Sequence, residues 1–154
     1  MSENTSATNP VNNEPSRLDW ALRMAEAGFA VFPIQAGGKK PLLEGWQDQA
    51  TTDPAVIRQW FANVTGMNYG VALGAGQAVV DLDRKPGGAD GIQAFEGVAV
   101  EHDMAWTDPD EAPCFTVETP SGGRHLYVNA GFDVGLSRQE WPAGIDVRGT
   151  GGYV

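Results

Sequence analysis

A single cysteine, Cys114, occurs in the 154 residues. One thiol excludes a disulfide framework and any multi-cysteine zinc site, and it fits a reducing cytoplasm. Basic residues are also scarce: ten Lys+Arg stand against twenty Asp+Glu, a net charge of −10. That balance argues against a nonspecific nucleic-acid coat, while leaving room for a local basic track. No apolar run approaches the ~20 residues of a membrane-spanning helix. The opening stretch "MSENTSATNPVNNEPS" lacks the basic flank and apolar centre of a secretion signal and reads as a disordered tail, residues 1–16. No G-x-x-x-x-G-K-[ST] run occurs, and "GAG" at Gly74–Gly76 is not followed by a helical pattern. Neither a P-loop nor a dinucleotide fingerprint is present, so no organic cofactor is expected.

What remains is an ordinary globular composition, 42% hydrophobic, of a length that suits one domain over 17–154. Ser16 caps a helix ending at Gly28, "FAVFPI" reads as a strand, and "QAGGKKPLLEGW" is a loop carrying Lys39 and Lys40. Thr52 is a candidate cap, with Pro54 in the first turn, for a second helix. "NYGVAL" and "QAVVDLD" read as strands, "GGADGIQAFEGVAVEHDM" as a third helix weakened by Gly97, and "AWTDPDEAP" as an acidic loop. "CFTVETPSGGRHLYVNA" is a hairpin pattern, and "GIDVRGTGGYV" gives a strand, a glycine turn and the start of another strand.

Side chains alternate faces along a strand. Ala78, Val80 and Leu82 therefore oppose Asp81 and Asp83; Leu126 and Val128 oppose His125, Tyr127 and Asn129; Ile145 and Val147 oppose Asp146 and Arg148. The economical arrangement is one sheet with helices on its aliphatic face and an open polar face. Three carboxylates there would repel one another, and two divalent ions would relieve them. Oxygen-only ligands suit Mg²⁺ or Mn²⁺, and paired ions about 4 Å apart serve in-line phosphoryl chemistry. Arg148, His125, Arg124, Lys39 and Lys40 are cations suited to the same phosphates, and Gly122 and Gly123 would let backbone N–H groups approach.

Each signal has a plainer explanation. An acid-x-acid pair at a strand end is most often a solvated turn, "SGGR" is most often a hairpin turn, and a strand histidine is most often structural. An EF-hand fails because Lys85 and Ile92 stand where acidic ligands belong. His102 looks incidental, and Trp20, Trp46 and Trp60 suit packing better than base stacking. Agreement on one face is what favours a site.

The ordered stretches "AGFAVFPI…GGKKPLLEGWQDQATTDP…IRQWF…NYGVALG…VVDLD…GG…TPSGGRHLYV…GIDVRGTGGYV", from about Leu18 to Val154, resemble the N-terminal bifunctional DNA primase/polymerase domain of the archaeo-eukaryotic primase superfamily. The resemblance implies an α+β fold: an RRM-like sheet core with helices on one face, plus a small N-terminal α/β unit. It implies that Asp81, Asp83 and Asp146 hold the catalytic metals, and that Ser121 and His125 form the nucleotide motif with Gly123, Arg124 and Arg148 nearby. Lys39 and Lys40 are expected to serve phosphate or template DNA. The implied substrates are a DNA template and nucleoside triphosphates, with a helicase encoded downstream as a further partner. Domains of this kind continue beyond "GGYV", so the chain is expected to be truncated there. A catalytically inactive RRM-like nucleic-acid-binding module and a two-metal nuclease or phosphoesterase are the alternatives.

Overall fold

The computed structural model describes residues 14–135 and 141–154. Most of the expected N-terminal tail lies outside them. The fold is α+β, with two antiparallel sheets. Helix α1 (Arg17–Glu26) begins as expected at Ser16, whose hydroxyl accepts from the Asp19 backbone N–H while the Asp19 carboxylate accepts from the Ser16 N–H. Such a reciprocal cap is worth about 1 kcal/mol. Gly28, at φ +88°, turns the chain into β1 (Ala30–Ile34).

A short helix α2 (Trp46–Gln49), not anticipated, interrupts the loop after β1. Helix α3 (Pro54–Asn63) is capped by Asp53 rather than Thr52: the Asp53 carboxylate accepts from the Ala55 N–H at 2.8 Å, and Pro54 fills the first helical position. Strand β2 (Asn68–Ala72) pairs antiparallel with β1. Its other edge takes up the last residues, with Val71 and Val154 exchanging backbone bonds at 2.8 and 3.2 Å. The start of a further strand after the glycine turn is thus observed, as a bridge between Ala72 and Tyr153.

The four-stranded sheet contains β3 (Gln77–Leu82), β4 (Phe115–Glu118), β5 (Arg124–Asn129) and β6 (Ile145–Arg148), in the order β4-β5-β3-β6. Helix α4 (Gly91–Glu101), capped by Asp90, covers one face, where Leu82, Phe95, Ala99 and Leu126 form a buried cluster. It is shorter than the pattern suggested, and the acidic loop contains a 3-10 turn at Pro109–Glu111.

The opposite face is not open throughout. Val79 and Tyr127 are buried in the core of the N-terminal unit with Met24, Ala25, Phe29, Ile57 and Val71. Phe29 meets Tyr127 edge-on at 5.3 Å. The polar face therefore has a covered end and an uncovered end, because Val79 and Tyr127 share it with the acids. Among the tryptophans, Trp46 stacks on Phe32 at 4.4 Å, Trp60 packs against the N-terminal core and Trp20 meets Phe115 edge-on. No helix among the described residues is long and apolar enough to cross a membrane.

Candidate functional site

Strand register builds the site. Asp81 on β3 stands directly opposite His125 on β5 and Asp146 on β6. Opposed residues have Cβ atoms about 4.5–5.5 Å apart, and like charges placed so repel. The next row along carries Tyr127, Val79 and Arg148. Asp83 leaves β3 one residue past its end.

Each acid has a basic side chain beside it. His125 Nε2 lies 3.3 Å from Asp81 Oδ1, Lys85 Nζ lies 3.5 Å from Asp83 Oδ2, and Arg148 Nε lies 3.2 Å from Asp146 Oδ2. Lys85 was overlooked, although its position two residues beyond Asp83 is the same i, i+2 spacing that links Asp146 to Arg148.

Asp81 is the buried acid, only 9% exposed. Burial pushes its carboxyl pKa up, but the close polar contact of His125 and the charges of His125, Arg148 and Lys39 outweigh that and hold it below the usual carboxylate value. Two atoms here are buried without a hydrogen bond: the acceptor Asp81 Oδ1 and the donor Arg148 Nε. Their partners are within ion-pair distance but off the line of a hydrogen bond, so one atom is left to accept and the other to donate.

Backbone crowding fixes where the acids sit. The Asp83 N–H donates to the Gly144 carbonyl at 2.8 Å, and the Gly91 N–H donates to the Asp83 carbonyl at 2.7 Å. A Cβ at Gly91 would collide with the Gly144 carbonyl oxygen, and one at Gly144 would press on Gly91 N at 2.7 Å. Three chain segments cross here because two of them carry no side chain.

The remaining candidates divide. Ser121 is exposed on the β4–β5 turn and lines a cleft with Arg84, Lys85, Gly88 and Asp90, beside the site. Gly122 takes φ +81° in the turn, and a Cβ at Gly123 would collide with the Leu82 carbonyl oxygen. Turn geometry and strand packing therefore account for these glycines without a phosphate. Arg124, expected near the nucleotide, has protein partners here. It shares the α4 face with Leu126, away from His125, and its guanidinium is committed to Asp110 at 2.7 and 3.1 Å and to the Gly122 and Gly123 carbonyls at 3.1 and 2.9 Å. Lys39 and Lys40 are exposed on the loop after β1. Tyr153, which sequence reasoning passed over, donates its hydroxyl to the Lys39 carbonyl at 3.5 Å, while its own carbonyl accepts from Arg148 Nη1 at 3.3 Å.

The donor chemistry fits hard divalent ions: carboxylate oxygens only, with the unbonded Asp81 Oδ1 among them. Among the described residues, no three metal-ligating side chains stand together ready to hold an ion. The carboxylates are turned to His125, Lys85 and Arg148 instead.

The sequence matches the family model described as the N-terminal part of bifunctional DNA primase/polymerases, over residues 21–154. No curated protein matches it.

Proposed function

The chain belongs to the bifunctional DNA primase/polymerase N-terminal family, and from that membership we propose that it performs nucleotidyl transfer on a DNA template. The observation that carries this reading is the pair of buried, unbonded atoms of opposite character, Asp81 Oδ1 and Arg148 Nε. The two lie on neighbouring strands, in adjacent rows of one sheet face, and such an acceptor and donor suit a ligand that is itself a cation joined to an anion, as a metal–triphosphate is.

In the reaction, a 3′-hydroxyl oxygen forms a bond to the α-phosphorus of a nucleoside triphosphate. The bond from that phosphorus to the bridging oxygen breaks, pyrophosphate leaves, and the hydroxyl proton passes to solvent. Asp81, Asp83 and Asp146 would hold Mg²⁺ or Mn²⁺, which when bound neutralise phosphate charge and make the hydroxyl a better nucleophile. His125 donates to phosphate oxygens from the strand beside Asp81, and Arg148 offers its unbonded Nε to the same group. Ser121 serves phosphate from the turn. Gly123 acts by letting β5 lie close to β3, and Arg124 acts by holding the turn; neither is assigned to the nucleotide. Template DNA follows the uncovered end of the sheet and the loop carrying Lys40, through contacts that salt weakens.

The test is primer synthesis with labelled nucleotides on single-stranded DNA with Mg²⁺ or Mn²⁺. Incorporation that disappears in Asp81→Asn supports the proposal. No incorporation, together with retained DNA binding, would identify an inactive binding module, and cleavage of DNA without added nucleotides would identify a nuclease.

A further inference from the structure

We propose that Lys85 is a displaceable counter-ion. In the metal-free chain it holds Asp83; once a divalent ion occupies that carboxylate, it turns to the phosphates of the nucleotide in the cleft beside Ser121. The inference rests on the nucleotidyl-transfer reading and gives a role to a lysine that the reading leaves unassigned.

The Lys85 backbone is pinned while its side chain is not. The loop from Arg84 to Asp90 is closed at its base by a backbone bridge and by the ion pair between those two residues at 3.0 Å. Within it the Lys85 N–H donates to the Ala89 carbonyl at 3.2 Å, and the Gly88 N–H donates to the Lys85 carbonyl at 2.9 Å. Asp90 also caps α4 through the Ile92 and Gln93 N–H groups, so the loop is fastened to the helix. From this fixed root the Lys85 ammonium meets one charged group among the described residues, Asp83, at 3.5 Å.

That contact is easily given up. The Lys85 side chain is 71% exposed and that of Asp83 47%, and pairs so open to water contribute little. The other two pairs are held more firmly. Arg148 is fastened to the Tyr153 carbonyl as well as to Asp146, and His125 faces Asp81 across a strand ladder with both side chains largely buried. Of the three basic partners, Lys85 is the one that can leave its acid without breaking a second contact or opening a buried one.

Its other position is the cleft of about 290 Å³ between this loop and the β4–β5 turn, lined by Arg84, Lys85, Gly88, Asp90 and Ser121. Two cations and a hydroxyl stand there against one carboxylate, and both oxygens of that carboxylate are taken by Arg84 and the α4 N–H groups. Such a lining suits an anion. Its volume lies at the small end for ligand pockets, so it takes a phosphate tail rather than a whole nucleotide. The turn is held against the end of β3, since Arg124 pairs with Leu82 and a Cβ at Gly123 would collide with the Leu82 carbonyl oxygen. The cleft therefore adjoins Asp83. With a cation on Asp83 the ammonium loses its partner and is repelled, and a phosphate in the cleft replaces the lost counter-charge. Lysine suits this exchange as a compact charge on a flexible stem.

The experiment titrates the full chain with three ligands: Mn²⁺ alone, followed by the electron paramagnetic resonance of the free ion; a fluorescent deoxynucleoside triphosphate at saturating Mn²⁺; and a fluorescent single-stranded DNA. Lys85→Gln is expected to tighten Mn²⁺ by about two- to fivefold, since an exposed ion pair no longer competes for Asp83. The same variant should weaken the triphosphate about tenfold, through loss of a charge-assisted hydrogen bond. Arg84→Gln removes an equal charge one residue away, and it should leave Mn²⁺ affinity within about twofold of wild type because its guanidinium is committed to Asp90. Opposite signs in one variant are what a merely structural lysine would not produce, and thermal melts without metal separate them from loss of fold. Unchanged or weaker Mn²⁺ binding in Lys85→Gln, unchanged triphosphate binding, equal tightening in Arg84→Gln, or a loss confined to DNA overturns the assignment while leaving the functional reading intact. A wild-type chain that binds no triphosphate overturns both.

Discussion

Asp81 and His125 face each other across the β3–β5 ladder with Nε2 3.3 Å from Oδ1, and this pairing places the one buried acid of the site beside a titratable ring. The same acid faces Asp146 on its other side. Asp81 is thus both partnered and crowded, and its substitution separates structural from catalytic demands.

Asp81→Asn is expected to reduce nucleotide incorporation to background while the protein still folds. Removing one like charge helps, but removing the partner of His125 costs, so the net change in apo stability should stay within roughly 1 kcal/mol. Mn²⁺ at ~100 times its Kd should stabilise wild type by about 2.7 kcal/mol, a rise of roughly 5–10 °C for a chain of this size. Asp81→Asn and Asp146→Asn should lose that rise. Thermal melts with and without Mn²⁺ read both effects, and an undiminished shift in either variant would show that its carboxylate does not hold the ion.

Acid should weaken the fold partly through the same residue. The Asp81 carboxyl is held below its ordinary value, so its contribution is fully present above about pH 4, the unfolded value. It is lost as pH falls through the lower folded value. Denaturant titrations between about pH 6 and pH 3 should show a shallower decline for Asp81→Asn than for wild type. Parallel declines would mean that other carboxylates carry the acid sensitivity.

Arg124→Ala should lower stability by about 1–3 kcal/mol, because one side chain fastens Asp110 and two turn carbonyls together. Asp110 is more than half exposed, so its share is small and Asp110→Ala should cost less. Arg124→Lys should recover little, since an ammonium cannot span that fork. Urea unfolding of the three variants checks the order; a normal melt with lost nucleotide affinity in Arg124→Ala would instead return this arginine to the phosphate site.

Gly91→Ala places a methyl group on the Gly144 carbonyl and against Asp83 N at 2.8 Å. Backbone must move, so a loss of about 3 kcal/mol or more is expected. Gly97→Ala is the control. It lies in the same helix with open space at its Cβ, and it should gain up to about 1 kcal/mol from helix propensity. If both changes prove neutral, the crossing of Asp83, Gly91 and Gly144 is not a constraint.

Alternation along β3, β5 and β6 made much of this legible in sequence. Within each strand the period of two sets Asp81, His125, Asp146 and Arg148 against aliphatic neighbours, and one shared apolar core face then brings the four to the same side. Sequence could not show that Tyr127 and Val79, on that same face, would be sealed under Phe29. Coverage of a face depends on how separate units dock. Arg124 shows the reverse: its charge suggested a phosphate, while its position next to His125 put it on the other face, where Asp110 holds it. Lys85 and Tyr153 were missed because a charge just past a strand end, or a ring near a chain end, has meaning only through what lies across from it.

The half-covered sheet face places Asp81 on a dielectric boundary. On one side of its row lies the packed interior around Val79 and Tyr127; on the other lies Asp83, half exposed to solvent. Charges at such an edge act on one another more strongly than charges in water, and the strength is set by the neighbouring unit staying docked. If the small sheet loosens, water reaches the row and the field around Asp81 weakens, although no acid has moved. Catalysis should then fade with heating before the four-stranded sheet melts, with the temperature limit of the chemistry set by a unit that contributes none of the three acids.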